Sequence, residues 1–204
     1  MVESSIRDLI TGVVLAGGKS RRMGIDKATL RVGSSYLIEF PLKVFSKLFD
    51  DILIITNSAL LNTLKSIFNH DKIRILEDIH PNHGALGGIY TALCHSRTPY
   101  IFVSACDMPF LNKDFIKYMT QIGDKYDVII PKSPHGFETL HAIYKKTIIK
   151  IVESSLLKDQ NKIIDFFPNI NVYAIPPDKL KGFDQEGKMF SNINTQDEFK
   201  KAFS

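Results

Sequence analysis

Five short apolar segments, most of them rich in β-branched residues, recur along the first two thirds of this 204-residue chain. Stretches in which apolar residues follow helical spacing separate each segment from the next. Strands that are covered on both faces read as continuous apolar runs, and strands that alternate with helices build parallel sheets. The pattern therefore predicts an α/β fold with a mostly parallel sheet and helices on both faces. The predicted strands are 11–15, 51–56, 73–76, 100–104 and 127–131.

The segments between these strands carry local helix signals. Apolar residues at helical spacing predict helices over 36–48 and 59–68, and a third after the glycine-containing segment 84–88. Pro41 predicts that the first helix begins or bends near it, because proline lacks a backbone N–H. Asn112 is a suitable N-cap for the helix that follows the fourth strand.

After residue 132 the pattern is less regular. We find no repeat, linker or low-complexity tract, so we expect one domain over 1–204. About 1–131 would form the more regular part and about 132–204 a more irregular lobe. The elements predicted in that lobe are strands at 141–144 and 172–175, helices near 146–157 and 160–167, and a last helix after the capping box Thr195-x-x-Glu198.

The positive charge of the chain is concentrated in one short segment. The sequence contains 26 Lys and Arg and 22 Asp and Glu, which gives a net charge of +4. Residues 19–31, with five basic residues and only one acidic residue, Asp26, carry the whole excess. A compact basic segment favours a small anionic ligand over a nucleic-acid-binding face that spreads across the protein.

Composition excludes several classes of protein. The 44% apolar and 24% charged residues are ordinary globular values, so disorder of the whole chain is excluded. No apolar run is long enough to predict a transmembrane helix, and the N-terminal segment does not resemble a secretory signal. Cys94 and Cys106 are the only cysteines, which excludes a disulfide scaffold or a four-cysteine zinc site. We expect a cytoplasmic protein without membrane or nucleic-acid partners.

The first predicted strand leads into the glycine- and base-rich segment Leu15-Ala-Gly-Gly-Lys-Ser-Arg-Arg-Met-Gly-Ile-Asp-Lys27. The P-loop of ATPases does not fit, because Gly12 lies one residue too far from Gly18-Lys-Ser. Glycines after a strand nevertheless let backbone N–H groups approach an anion, and Arg22 and Lys27 add positive donors. The segment predicts a phosphate-binding loop, with a tight turn beneath a solvated basic surface as the alternative.

This segment resembles the signature L-A-G-G-x-S-x-R-M-G-x-D-K of the molybdenum cofactor guanylyltransferases, members of a larger family of nucleotidyltransferases with a Rossmann-like, three-layer fold. Further motifs resemble the family in the same order along nearly the whole chain. Ala85 stands where the family usually has proline, so we expect that loop to be less rigid here. The further motifs are Glu77-Asp78 with Gly84-Ala-Leu-Gly-Gly-Ile89, Cys106-Asp107-Met-Pro109, Leu140-His-Ala-Ile-Tyr144 and Asn192-Ile-Asn-Thr195.

The resemblance implies that GMP is transferred from GTP to the phosphate of molybdopterin, with Mg²⁺ as cofactor and pyrophosphate as the second product. Such catalysis rests mainly on positioning and charge stabilisation. The implied catalytic residues are Arg22, Lys27 and Asp107. Asp107 is also the implied metal ligand, because Mg²⁺ prefers one or two carboxylates together with substrate phosphates. Transient contacts with cofactor-synthesis or molybdoenzyme-maturation proteins are implied as well.

The resemblance also assigns two groups of binding residues. The nucleotide-binding residues are Leu15, Ala16, Gly17, Gly18, Lys27, Asn57, Asp78 and Asp107. The acceptor-binding residues are His141, Asn192 and Asn194.

Some of these residues have a plainer interpretation. His141 lies between apolar neighbours, which is typical of a core or edge residue. Asn192 and Asn194 could instead form the turn before the Thr195 cap. Asp78 could be an ordinary exposed carboxylate. For the residue near the base, Thr56 is the alternative to Asn57, and we choose Asn57.

Two other functions remain open at this level. One is a cytidylyltransferase that acts on molybdopterin or on another small phosphorylated acceptor, although such relatives carry L-A-A-G where this chain has Gly17 after Ala16. The other is a nucleotide-binding regulatory or chaperone subunit without turnover. The presence of Arg22, Lys27 and Asp107 together disfavours it, because a binding module does not need the metal carboxylate.

Overall fold

The computed structural model describes residues 6–17 and 26–193, together with Thr195 and Glu198. A mixed eight-stranded sheet forms the centre of this part of the chain, beside a separate two-stranded hairpin. The strands are β1 (Ile10–Leu15), β2 (Arg31–Val32), β3 (Ser35–Tyr36), β4 (Ile52–Thr56), β5 (Ile73–Glu77), β6 (Tyr100–Ala105), β7 (Val128–Ser133), β8 (Gly136–Phe137), β9 (His141–Lys145) and β10 (Val172–Ile175). The helices are α1 (Glu39–Phe45), α2 (Ser58–Ile67), α3 (Gly84–His95), α4 (Lys113–Thr120), α5 (Ile149–Leu157) and α6 (Pro177–Leu180).

The main sheet is mostly parallel. Its strand order is β10-β7-β9-β6-β1-β4-β5, and β8 forms a hairpin with β7. β1 pairs in parallel with β4 and β6, β4 with β5, and β10 with β7. Within this row of seven strands, β9 alone runs against both of its neighbours. The predicted α/β fold with a mostly parallel sheet is confirmed.

Helices cover both faces of the sheet, as the continuous apolar strands predict. Alternate residues of β1 and β4 point to opposite faces, so that Val14 and Ile54 join one core and Val13 and Leu53 the other. The first core packs against α1, α2 and α4, and the second packs against α3 and α5. The result is three layers. No helix among the described residues is long and apolar enough to cross a membrane.

Several predicted elements have different limits in the structure. The helix predicted over 36–48 is the shorter α1, with Pro41 in its first turn, where backbone N–H groups have no partner within the helix. The glycine-containing segment 84–88 is not a loop before α3, because α3 begins at Gly84 and includes it. The helix predicted over 160–167 is instead the 3₁₀ segment Ile163–Asn169.

The path of the chain through the sheet creates a crevice. After β1 the chain builds β4 and β5 on one side, and it then crosses to the other side of β1 to form β6. Connections therefore leave β1 and β6 in opposite directions. In open α/β sheets, ligands bind outside the carboxyl ends of the strands at such a switch point. The residues that follow Leu15 and Ala105 lie at this switch point.

Candidate active site

A cleft of about 190 Å³ lies at the carboxyl ends of β1 and β6. It occupies the switch point of the sheet. Typical ligand pockets begin at about 300 Å³, so a whole nucleotide would extend beyond this cleft. The described residues that line it are Leu15, Ala16, Gly17, Asp26, Lys27, Ala28, Ala85, Ala105, Cys106, Asp107, Leu140 and Asn192.

The end of β1 is held between its two neighbours. The Ala16 N–H donates to the carbonyl of Ile55 over 2.8 Å, and the Cys106 N–H donates to the carbonyl of Leu15 over 3.0 Å. A Cβ at Gly17 would lie 3.3 Å from the backbone nitrogen of Asn57. Glycine therefore allows the backbone after β1 to run close against the end of β4. This close approach places the Gly17 backbone on the wall of the cleft.

Lys27 and Asp107 form an ion pair in the cleft. The Lys27 Nζ atom donates to Asp107 Oδ2 over 2.6 Å, and the two side chains are 26% and 10% exposed. Lys27 begins a 3₁₀ turn of three residues, and Asp107 is the second residue after the end of β6. The sequence motifs predicted both residues at the site, and the structure brings them together.

The Asp107 carboxylate has the chemistry that Mg²⁺ requires. It is largely buried at the end of a strand, and Asp26 supplies a second carboxylate to the lining. Among the described residues, no group of three or more His, Cys, Asp and Glu side chains is arranged to hold a metal by itself. A site with one or two carboxylates suits Mg²⁺ that is shared with substrate phosphates. The described residues therefore fit a metal that arrives with the nucleotide.

The last described segment of the chain returns to the cleft. The Ile193 N–H donates to the backbone carbonyl of Asp107 over 2.8 Å. The side chain of Ile193 is buried against Leu30, Val32 and Leu37 of the β2–β3 region. Asn192, which the resemblance assigned to the acceptor, lies on the cleft lining.

Asn57 begins α2 as its N-cap. Its Oδ1 atom accepts from the Leu60 N–H over 3.0 Å, which satisfies one of the free donors at the start of the helix. The residue is half-buried beside the Gly17 backbone. Capping uses one lone pair of Oδ1 and does not involve the amide nitrogen, so it does not exclude contact with a ligand.

Asp78 holds the connection between β5 and α3. Its Oδ1 atom accepts from the His80 N–H over 2.9 Å and lies 2.8 Å from the buried Thr91 hydroxyl. Its own N–H donates to the carbonyl of Thr56 over 2.7 Å. Asp78 is thus more than an ordinary exposed carboxylate, because it fixes the loop that leads into α3. Asp78 is not among the described residues that line the cleft, and its contact with a nucleotide stays a prediction.

His141 lies in the core and not on the cleft lining. The ring is fully buried, with ring centroids of Phe102, Phe115 and Phe190 within 5.1 to 5.6 Å. Neither ring nitrogen has a hydrogen-bond partner among the described residues. Burial lowers the pKa of His141 to about 3, so the ring is neutral. This position fits the interpretation of His141 as a core residue. An acceptor substrate would have no direct access to the buried ring.

Cys106 is buried on the cleft lining beside Asp107. Burial raises the pKa of its thiol to about 12. The thiolate is the reactive form of cysteine, so this residue is not suited to act as a nucleophile.

Three predicted site residues, Gly18, Arg22 and Asn194, lie outside the described residues. The sequence did not lead us to assign Leu140 and Ala85 to the site or to predict the β2–β3 hairpin. Leu140 and Ala85 lie within motifs that resemble the family, which was an available signal. Their side chains carry no reactive group, however, and a hairpin with strands of two residues has too little periodicity to detect.

The fold and the cleft are those of an α/β protein whose candidate ligand site lies at the switch point of its sheet. The chain belongs to the MobA-like NTP transferase domain family, whose model matches residues 12–167. The family predicted from the sequence motifs, a family of nucleotidyltransferases, is thereby confirmed.

Relatives cover nearly the whole chain. A Clostridium perfringens protein described as a probable molybdenum cofactor guanylyltransferase is 38% identical over 93% of each chain. A Pelotomaculum thermopropionicum protein with the same description is 35% identical over 94% of this chain and 91% of its own. The crystal structure of molybdopterin-guanine dinucleotide biosynthesis protein A from Archaeoglobus fulgidus has a TM-score of 0.80 at 29% identity, covering 94% of this chain and 96% of its own.

Proposed function

We propose that the protein transfers GMP from GTP to the phosphate of molybdopterin, which yields molybdopterin guanine dinucleotide and pyrophosphate. The descriptions of the relatives support the choice of substrates. The observation that carries the chemistry is the Lys27–Asp107 pair in the switch-point cleft. Transient contacts with proteins that supply the pterin or receive the product belong to the same proposal.

The reaction exchanges one bond at phosphorus for another. A phosphate oxygen of molybdopterin bonds to the α-phosphorus of GTP, while the bond from that phosphorus to the bridging oxygen breaks. The electron pair leaves on pyrophosphate. Two anions must approach each other and charge builds on the leaving group, so a fixed cation in the cleft favours the transition state. Lys27 supplies such a cation, and Arg22 is proposed as a second.

We assign Mg²⁺ to Asp107, with Asp26 as a neighbouring carboxylate. When bound, the ion supplies charge neutralisation and polarisation of the phosphates. The Lys27–Asp107 pair keeps both charged groups inside the cleft before any substrate arrives.

The positions of these residues give a proposed orientation for the bound nucleotide. The cleft takes the phosphates, with the Leu15–Gly17 backbone on its wall. The base extends past it toward the ends of β4 and β5, where Asn57 and Asp78 lie. The Oδ2 atom of Asp78 can accept from the N–H groups on the pairing edge of guanine, which cytosine does not present in the same pattern. Asn192, which lines the same cleft as Asp107, is the proposed contact for the pterin.

Mass spectrometry of the products tests this function. The purified protein is incubated with molybdopterin, Mg²⁺ and either GTP, CTP or ATP, and the dinucleotide and pyrophosphate are quantified. We expect molybdopterin guanine dinucleotide from GTP. A clear preference for CTP would replace the guanylyl assignment by the cytidylyl alternative. Nucleotide binding without pyrophosphate release from any of the three would favour a binding subunit.

A further inference from the structure

We propose that Ile193 is a positioning residue that sets the approach of Lys27 to Asp107. The inference rests on the proposed function of that pair as the cation and the metal carboxylate of nucleotidyl transfer. Ile193 itself touches no reacting atom. It acts by joining the two parts of the chain that carry these side chains.

The side chain of Ile193 reaches the Lys27 part of the molecule. It is 2% exposed and belongs to a small buried cluster with Leu30, Val32 and Leu37. Leu30 follows the 3₁₀ turn that Lys27 begins, and the Leu30 N–H donates back to the Lys27 carbonyl over 3.1 Å. The cluster thus anchors the chain directly after Lys27.

The backbone of Ile193 reaches the Asp107 part. Its N–H donates to the Asp107 carbonyl over 2.8 Å, so the turn that follows β6 is held at the residue that bears the carboxylate. Three positions earlier, the ring of Phe190 packs on the buried ring of His141, with the two centroids 5.1 Å apart. This second contact fixes the direction from which the segment approaches the cleft.

The hairpin depends on this cluster more than a central strand would. β2 and β3 pair with each other and form a separate two-stranded sheet, so no strand-to-strand hydrogen bonds tie them to the main sheet. The cluster with Ile193 is distinct from the two large cores that flank that sheet. An isolated hairpin is only marginally stable. Loss of the Ile193 side chain should therefore loosen the Lys27 turn while the main fold persists.

The first test measures the reactivity of Lys27 without any substrate. Trace acetylation followed by peptide mass spectrometry gives the labelling rate of Lys27 relative to Lys72, which pairs with Asp50 at the surface. We expect Ile193→Ala to raise this ratio several-fold and Ile193→Val to give a smaller rise. The valine variant keeps the test decisive if the alanine variant fails to fold.

Ile6→Ala is the matched control. Ile6 is also a buried isoleucine near one end of the described chain, and its N–H also donates to a carbonyl, that of Thr120. It belongs to the large core and not to the hairpin cluster. We expect Ile6→Ala to lower stability without changing Lys27 labelling. An equal rise in both alanine variants, or none in Ile193→Ala, would overturn the proposal.

The second test measures turnover. We expect Ile193→Ala to lower kcat by about ten- to a hundredfold with a smaller change in the KM for GTP, because misplacement near the reacting atoms can cost that much. Ile193→Val should restore most of kcat. A kcat loss no greater than that of Ile6→Ala would contradict a positioning role. If the wild-type protein forms no product from GTP, the proposed function fails, and the labelling comparison still decides the role of Ile193.

Discussion

The ammonium of Lys27 and the carboxylate of Asp107 meet at 2.6 Å across 80 positions of the chain. They follow the two strands between which the sheet switches direction. Lys72 and Asp50 form a pair of the same length elsewhere, but the side chain of Asp50 is 96% exposed. Exposed pairs contribute about 0–1 kcal/mol to stability, so the surface pair is a matched control for the charge changes below.

Replacing Asp107 by asparagine should abolish most turnover and preserve the fold. The amide keeps the size of the side chain but removes the charge that suits Mg²⁺. We expect kcat to fall by about 100-fold or more, because metal catalysis supplies several kcal/mol and each ~1.36 kcal/mol is a factor of ten. Product formation at fixed Mg²⁺ measures this, with Asp50→Asn as the control. Near-normal turnover of Asp107→Asn would remove the carboxylate from the mechanism.

Replacing Lys27 by alanine should weaken GTP binding and slow transfer. Arg31→Ala is the control within the same basic segment, since Arg31 is exposed and lies over the ring of Tyr36, 4.9 Å from its centroid. Isothermal titration calorimetry with GTP and measurements of kcat at rising salt distinguish the effect of Lys27→Ala from that of Arg31→Ala. A diffuse surface field is screened over about 10 Å at 0.1 M salt, whereas a contact in the cleft is screened less. Equal, salt-sensitive losses in both variants would indicate only a general basic field.

Adding a methyl group at Gly17 should disturb the site more than the fold. The new Cβ would lie 3.3 Å from the backbone nitrogen of Asn57, and that backbone begins α2. We expect kcat/KM for GTP to fall by about tenfold through displacement of the β1 end. Gly182→Ala is the control, because its Cβ would meet only the Lys179 carbonyl at 3.9 Å. Wild-type kinetics in Gly17→Ala would show that the close approach is not needed.

Thr91→Val should affect nucleotide binding through Asp78. The variant removes the buried Thr91 hydroxyl, which donates to the Asp78 carboxylate and accepts from the Ile79 N–H in the same loop. A hydrogen bond to a charged group contributes about 1.5–3 kcal/mol. We expect a higher KM for GTP with little change in kcat. In Thr120→Val the lost hydroxyl donates only to the Lys117 carbonyl, so its stability should fall without a change in KM. Equal changes in the KM of Thr91→Val and Thr120→Val would contradict a contact between Asp78 and the nucleotide.

His141 should make stability depend on pH. Its folded-state pKa of about 3 lies below the unfolded value of about 6.5, so below that value the unfolded chain binds a proton that the folded chain does not. Stability is then lost as pH falls, by about 1.4 kcal/mol per unit. His141→Phe should remove this slope, giving a gain over wild type that is about 2 kcal/mol larger at pH 5 than at pH 7. Urea unfolding at both values measures it, with exposed His95→Gln as a variant expected to keep the wild-type slope.

The strands β1, β4 and β6 could be predicted because they are buried on both faces. Segments such as Ile52–Thr56 and Tyr100–Ala105 consist almost wholly of residues that leave water, so composition alone marks them. Strand direction has no such signature. The sequence His141–Lys145 indicates a strand equally well in either direction, and its antiparallel pairing follows from the short β7–β8 hairpin before it.

The chemistry of the site was predictable only where charge or glycine marks it. Lys27 and Asp107 stand out within their motifs, whereas their contact depends on the sheet order. Ile193 lies within a motif that resembles the family, but a single buried isoleucine does not reveal which cluster it joins. The N-cap role of Asn57 depends on where α2 begins, and the limits of an element are the least predictable feature of a sequence.

The reversed direction of β9 brings the connection between β7 and β9 to the edge of the sheet where β1 and β6 end. Because β9 runs against β6, its first residue, His141, pairs with Ser104 near the end of β6, and Leu140 reaches the cleft. A parallel strand would begin at the opposite edge. The chain between β7 and β9 can therefore gain or lose residues at this edge of the cleft while the pairing of β1 with β4 and β6 stays unchanged. Under the proposed function, changes in this connection would reshape one side of the site and leave the Lys27–Asp107 pair in place.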